Sequence, residues 1–332
     1  MPFKRLNNDL WRKMVRRVLL IGGPNTYKTT SIVQTFTRPL HILSYPGEKG
    51  TGVIPYDQPD LTADIWEVDD FKKENVSALT IREIEEKTWE ILAMPGLQTF
   101  AGEGLHKLAS MYWNREYQKL LVSNEAGIAQ GKTDRNGQLI SEAIKLQAYG
   151  NENYGATREI LAYISKVCQS SVPNVVFTCW EGVEAGETGN AKLDSNQNPH
   201  LFADLPGKLA RKIVGEFGIV MYAEVGLPDP KGNTPSSWQI KKHGKVWGVG
   251  TKLPLEIAVK LPTKVPQDWQ KLLPLLDYAV KNPAPKEFVN PIGQDAPLKP
   301  AGGPRPAPSP GASLPEVIQP SEIKLGGLPP RQ

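Results

Sequence analysis

The sequence predicts an α/β fold. Short aliphatic or β-branched runs alternate with longer mixed segments across residues 17–278, the pattern of strands separated by helices. The first of these runs enters a glycine-rich turn and then a helical stretch. At 332 residues, with 39% hydrophobic and 22% charged content, the chain can bury one large core or two modest ones.

Taken in order, strands are expected near residues 18–21, 41–44, 64–67, 98–101, 175–179, 219–223 and 238–242, where apolar side chains cluster over four or five positions. Helices are expected near residues 29–36, 76–92, 105–122, 157–170, 205–214 and 269–280. Residues 123–150 are polar and glycine-bearing, which marks an insertion or mobile loop. The N-terminal residues 1–16 form a basic segment ahead of the core at 17–280. Beyond residue 281 the composition changes. Nearly half of the chain's 30 prolines fall there and large apolar residues thin out, so this Pro/Gly-rich tail is expected to be disordered, a passive tail or a docking arm for a protein partner.

Net charge is +4, too small to name a nucleic-acid or membrane partner by itself. The run Val18, Leu19, Leu20, Ile21 is too short for a signal peptide, and no stretch approaches the length needed to span a bilayer. Two distant cysteines, Cys168 and Cys179, fit a reducing compartment rather than a disulfide framework. A cytoplasmic protein without a membrane partner is the expectation.

The most informative stretch follows the first strand: Gly22, Gly23, Pro24, Asn25, Thr26, Tyr27, Lys28, Thr29 and Thr30. Strand, tight turn, Lys-Thr pair and helix occur in the order a Walker A phosphate loop requires. A triphosphate needs converging donors, and amides around residues 25–29 together with the positive end of the next helix supply them. Lys28 would span the β- and γ-phosphates, and the Thr29 hydroxyl would help hold Mg²⁺. Tyr27 departs from the pattern, standing where the second glycine is expected and bringing a Cβ and a ring beside the phosphate path. The bland alternative is a Gly/Pro-rich strand-to-helix turn with an incidental Lys-Thr.

A P-loop site also needs a carboxylate at the end of a nearby strand. Glu103, between the weak strand at 98–101 and the helix at 105, is the candidate; it also suits a helix N-terminus electrostatically. With the loop at 22–30, the strand–acid–helix step at 99–108, Tyr154-Gly155 opening a helix before Asn174-Val175-Val176-Phe177-Thr178, and Pro206-Gly207-Lys208, the chain resembles phage-encoded, RecA-like ATP-binding proteins of recombination and single-strand annealing. The resemblance covers roughly residues 15–260. It implies a RecA-like core with a parallel sheet, ATP with Mg²⁺, single-stranded DNA as partner and assembly as a homo-oligomer. Besides Tyr27, two departures stand out. Glu103 replaces the family's usual aspartate, and Trp180 stands where relatives often carry histidine.

The resemblance also implies an acid beyond a neighbouring strand that polarises the attacking water. Glu48 occupies such a place and Glu181 is a second candidate; a solvated loop acid is the alternative for Glu48. Trp180 is expected to be partly buried packing, with stacking on a base or sensing of the γ-phosphate side as the alternative, and His106 a helix N-terminal residue rather than a ligand. Nucleic acid has two candidate regions. One is the N-terminal set Lys4, Arg5, Arg12, Lys13, Arg16 and Arg17 with Trp11. The other is Lys241, Lys242, His243, Lys245, Trp247 and Lys252 on an expected hairpin turning at His243-Gly244, where Lys242 or Lys252 could instead act on a neighbouring subunit's ATP site. Two further functions stay open: nucleotide binding without turnover, and a packaging-type ATPase.

Overall fold

A computed structural model describes residues 14–45, 48, 63–67, 78–135, 137–143, 154–183, 201–206, 209–228, 230, 234–242, 249–253, 258–259 and 261–281. The tail beyond 281, the basic residues 4–13 and the expected turn at His243-Gly244 lie outside the described residues.

The strands are β1 (Arg17–Ile21), β2 (Leu40–Ser44), β3 (Ala63–Glu67), β4 (Thr99–Glu103), β5 (Asn174–Cys179), β6 (Glu181–Val183), β7 (Leu201–Ala203), β8 (Ile219–Val225), β9 (Ser236–Gln239), β10 (Gly250–Thr251) and β11 (Lys264–Pro266). The helices are α1 (Lys28–Thr35), α2 (Ala78–Leu92), α3 (Leu105–Ser123), α4 (Glu125–Ala129), α5 (Tyr154–Cys168), α6 (Leu209–Ile213) and α7 (Trp269–Lys281). The main sheet runs β11-β9-β8-β1-β5-β4-β2-β3, and β10 also pairs with β8. From β8 to β3 every pairing is parallel, whereas β9, β10 and β11 are antiparallel additions at one edge. The expected mostly parallel sheet flanked by helices is therefore present.

Alternation along β1 explains why this sheet is buried on both faces. Leu19 and Ile21 join a cluster with α2, α3, α5 and α6, while Val18 and Leu20 join one with α1 and α7. A parallel strand covered on both sides has no solvent face and so reads as an unbroken apolar run. On the α1–α7 face Phe36 stacks on Trp269 with centroids 4.4 Å apart, and Trp238 meets Phe36 edge-on.

Three expectations change. β9 and β10 do not pair with each other. Both pair with the same edge of β8, with Gln239 opposite Tyr222 and Gly250 opposite Val220. The polar segment after α3 is not wholly irregular: it holds α4 and a bridge between Thr133 and Leu139. Finally, Arg17 is fully buried inside the core. Its guanidinium donates to the carbonyls of Cys168 (2.6 Å), Pro173 (2.8 Å) and Ser170 (3.1 Å), closing the exposed end of α5 and the turn into β5. Burial pushes its pKa down to about 10. Arg16 is paired with Asp277 of α7. Both residues are committed to the fold.

Candidate functional site

Parallel strands end together, so the carboxyl ends of β1, β2, β4, β5 and β8 face one crevice. The loop at residues 22–27 leaves β1 there. Gly22 is required by crowding: a Cβ on it would stand 2.7 Å from the Ala223 carbonyl oxygen and 2.9 Å from Thr26 Oγ1. Asn25 and Tyr27 both take left-handed backbone angles, with φ of 60° and 58°. Asn tolerates that region better than most residues, whereas Tyr27 holds the conformation for which the motif normally uses glycine. Its ring is half exposed.

Lys28 opens α1 and folds back over the loop. Its ammonium donates to the carbonyls of Gly22 (2.8 Å) and Gly23 (2.6 Å) and to Thr26 Oγ1 (3.2 Å). Burial lowers its pKa, while Glu48, Cys179, Glu181 and Glu103 act in the opposite direction. A partly desolvated cation gains most from an anionic partner, which a polyphosphate provides.

The next residue, Thr29, donates through Oγ1 to Glu103 Oε1 at the end of β4. Ser44, ending β2, donates to Glu103 Oε2 at 3.1 Å. Glu103 is 3% exposed, and burial raises its pKa although both hydroxyls favour the charged form. A buried carboxylate contacted by two hydroxyls offers only oxygen ligands, which is the preference of Mg²⁺. These residues fit that ion, with Thr29 and Glu103 as its holders.

Glu48 also faces this end of the sheet. Its Oε1 lies 3.1 Å from His106 Nε2, and its stem fills the space above Gly104, whose φ of 88° and missing Cβ allow the approach. Glu181 sits on the other side of the loop, against Gly23, and accepts a hydrogen bond from the Tyr222 hydroxyl. The structure thus brings Gly22, Gly23, Pro24, Asn25, Thr26, Tyr27, Lys28, Thr29 and Thr30 together with Glu48, Glu103 and Glu181. Lys252 is elsewhere. Thr251 pairs with Ile219, at the start of β8, and Lys252 bonds the Gly215 carbonyl at the far edge of the sheet.

Two contributors have no sequence signal. Gln267, between β11 and α7, is 7% exposed, and its amide donates to the carbonyls of Thr26 (3.1 Å), Glu224 (3.3 Å) and Ser237 (3.2 Å). It ties the phosphate loop to the antiparallel edge. Thr178 of β5 accepts a hydrogen bond from the Gly104 amide at 3.0 Å and fixes the turn after Glu103. His106 and Trp180 are more than general packing: their rings stack at 4.7 Å, with Lys107 5.2 Å from the indole centroid.

Among the described residues no helix is long and apolar enough to cross a membrane, and no group of three or more His, Cys, Asp or Glu side chains is placed to hold a metal. A one-acid, one-hydroxyl Mg²⁺ site completed by phosphate and water does not require such a group.

No protein-family model matches the chain, and no curated protein does. Among solved structures, the chain is similar to the flagellar accessory protein FlaH from Methanocaldococcus jannaschii, with 8% identity, a TM-score of 0.34, and coverage of 72% of this chain and 86% of that one. It is also similar to a prototypical ATPase from the type III secretion system of pathogenic bacteria, with 11% identity, a TM-score of 0.32, and coverage of 64% and 52%. The assembled ATPase EscN of the enteropathogenic E. coli type III secretion system gives 12% identity, a TM-score of 0.30, and coverage of 64% and 45%. The chain spans about half the length of the two secretion ATPases. At these TM-scores the likeness carries no functional weight.

Proposed function

We propose that this protein is a P-loop ATPase that binds ATP with Mg²⁺ between the loop at residues 22–30 and Glu103, and that it works on DNA. The observation that supports the nucleotide half is the meeting of Thr29 and Glu103 beside a part-buried Lys28, at the carboxyl edge of a parallel sheet.

In this reading the loop amides and the first turn of α1 donate to the β-phosphate. Lys28 exchanges the carbonyls of Gly22 and Gly23 for oxygens of the β- and γ-phosphates. Thr29 and Glu103 would hold Mg²⁺, which would neutralise charge on the phosphates. Glu48 accepts a proton from water as the water oxygen bonds to Pγ and the bond from Pγ to the β–γ bridging oxygen breaks, leaving ADP and inorganic phosphate. Glu181 is the second choice for that base. Its carboxylate lies against the Tyr222 hydroxyl, as that of Glu48 lies against His106.

The DNA half, with a phage protein of recombination or annealing acting as a homo-oligomer, rests on the sequence resemblance. Arg16 and Arg17 are withdrawn from the candidate DNA contacts by their structural partners. Steady-state phosphate release with and without single-stranded DNA, in wild type and Lys28→Ala, tests both halves. Release that depends on Lys28 and rises with DNA supports the proposal. ATP binding without release favours the non-hydrolysing alternative, to which the left-handed Tyr27 lends its weight.

A further inference from the structure

Glu48 reaches the site from a loop after β2, so something other than secondary structure must hold its carboxylate. Three neighbours do so. Gly104 supplies a floor, because a side chain there would occupy the space of the Glu48 stem. His106, one turn into α3, places Nε2 3.1 Å from Glu48 Oε1. Trp180, directly after β5, stacks on the His106 ring at 4.7 Å with 24° between planes.

The polar accounting sharpens this. His106 is 7% exposed, and neither of its ring nitrogens has a hydrogen-bond partner; Glu48 Oε1 is likewise buried without one. Unmet buried donors and acceptors are costly, and here a nitrogen and an oxygen lie within hydrogen-bond distance and lack only alignment. A small change of ring pitch supplies it. The ring can rotate little otherwise, since the indole covers one face.

We infer that His106 is a positioning residue for Glu48, and that Trp180 acts through His106 by fixing the plane of its ring. Trp180, Gly104 and His106 then form a clamp that aims the carboxylate at the attacking water. This rests on the reading of Glu48 as the base and extends it to residues outside the phosphate loop. The departure at Trp180 gains a local reason: the ring after β5 braces a histidine supplied by α3.

The test uses the full-length protein and compares His106→Ala, His106→Gln, Trp180→Ala and Trp180→Phe in wild-type and Glu48→Gln backgrounds. Phosphate release gives kcat and KM, and a fluorescent ATP analogue gives affinity. In the wild-type background His106→Ala is expected to lower kcat about 10-fold or more, with KM and affinity within about twofold. His106→Gln, which keeps a donor, recovers part of the loss. Trp180→Ala follows His106→Ala, and Trp180→Phe, which keeps a stacking ring, stays close to wild type. In the Glu48→Gln background none of the four changes lowers kcat further. A full additional loss in that background, or a change confined to KM, overturns the inference while leaving the ATPase reading intact. A wild type that binds ATP and releases no phosphate removes the ATPase reading and this inference with it.

Discussion

The hydroxyl of Thr29, at the start of α1, donates to the carboxylate of Glu103, at the end of β4, although 74 residues and an intervening strand separate them. The contact closes the gap between the phosphate loop and the acid, and it defines where a cation held by both must sit.

Replacing Lys28 by alanine removes the one ammonium that lies over the loop carbonyls. A charge-assisted bond contributes about 1.5–3 kcal/mol, so ATP affinity is expected to fall about 10- to 100-fold. Equilibrium binding of a fluorescent ATP analogue measures it. Unchanged affinity would remove the phosphate-loop assignment.

Glu103→Gln separates stability from function. Burial raises the Glu103 pKa, so between its unfolded and folded values the native state holds more protons than the unfolded state. Stability from this group therefore declines as pH rises through that window and does not return above it. The glutamine variant escapes this cost. Its melting temperature, without nucleotide, is expected to equal or exceed that of wild type, with a margin that grows as pH rises above the ordinary carboxylate range. Its phosphate release should be lost. A margin that shrinks with rising pH would contradict the sign.

Tyr27→Gly tests the substituted glycine. A left-handed conformation costs an L-residue about 1–2 kcal/mol, and glycine's extra freedom in the unfolded chain offsets about 0.5–1 kcal/mol of that relief. The net expectation is a gain of about 0–1.5 kcal/mol by denaturant titration, with ATP affinity kept or improved. Tyr27→Val, β-branched at the same φ, should lose stability.

Arg17→Met leaves the buried Cys168 carbonyl and the part-buried Pro173 and Ser170 carbonyls without their donor, and at about 1–3 kcal/mol for the buried one a loss of at least that size is expected from the denaturation midpoint. If Arg17 bound DNA instead, a charge-removing variant such as Arg17→Gln would flatten the salt dependence of DNA affinity. No change in that slope is expected.

Much of this was legible in the sequence. The seven expected strands match β1–β5, β8 and β9, because strands buried on both faces leave dense aliphatic runs such as residues 18–21. Thr29 and Glu103 were legible too, since motif spacing fixes the loop and an acid after a strand has few places to go. β6, β7, β10 and β11 span two or three residues, too few to show a period. Arg17 was misread because a basic residue beside other basic residues gives no sign that three carbonyls await it. Gln267 was invisible for a related reason: its acceptors come from residues 26, 224 and 237, and only the folded chain brings those together.

The sheet order gives the glutamate at position 103 a rationale. With β5 lying between β1 and β4, the acid must reach across the width of a strand toward α1. One more carbon than aspartate adds about 1.5 Å of bond length and carries the carboxylate into direct contact with Thr29. Shortening the arm with Glu103→Asp would therefore loosen the grip on the metal without removing its charge, and the Mg²⁺ concentration for half-maximal turnover would rise.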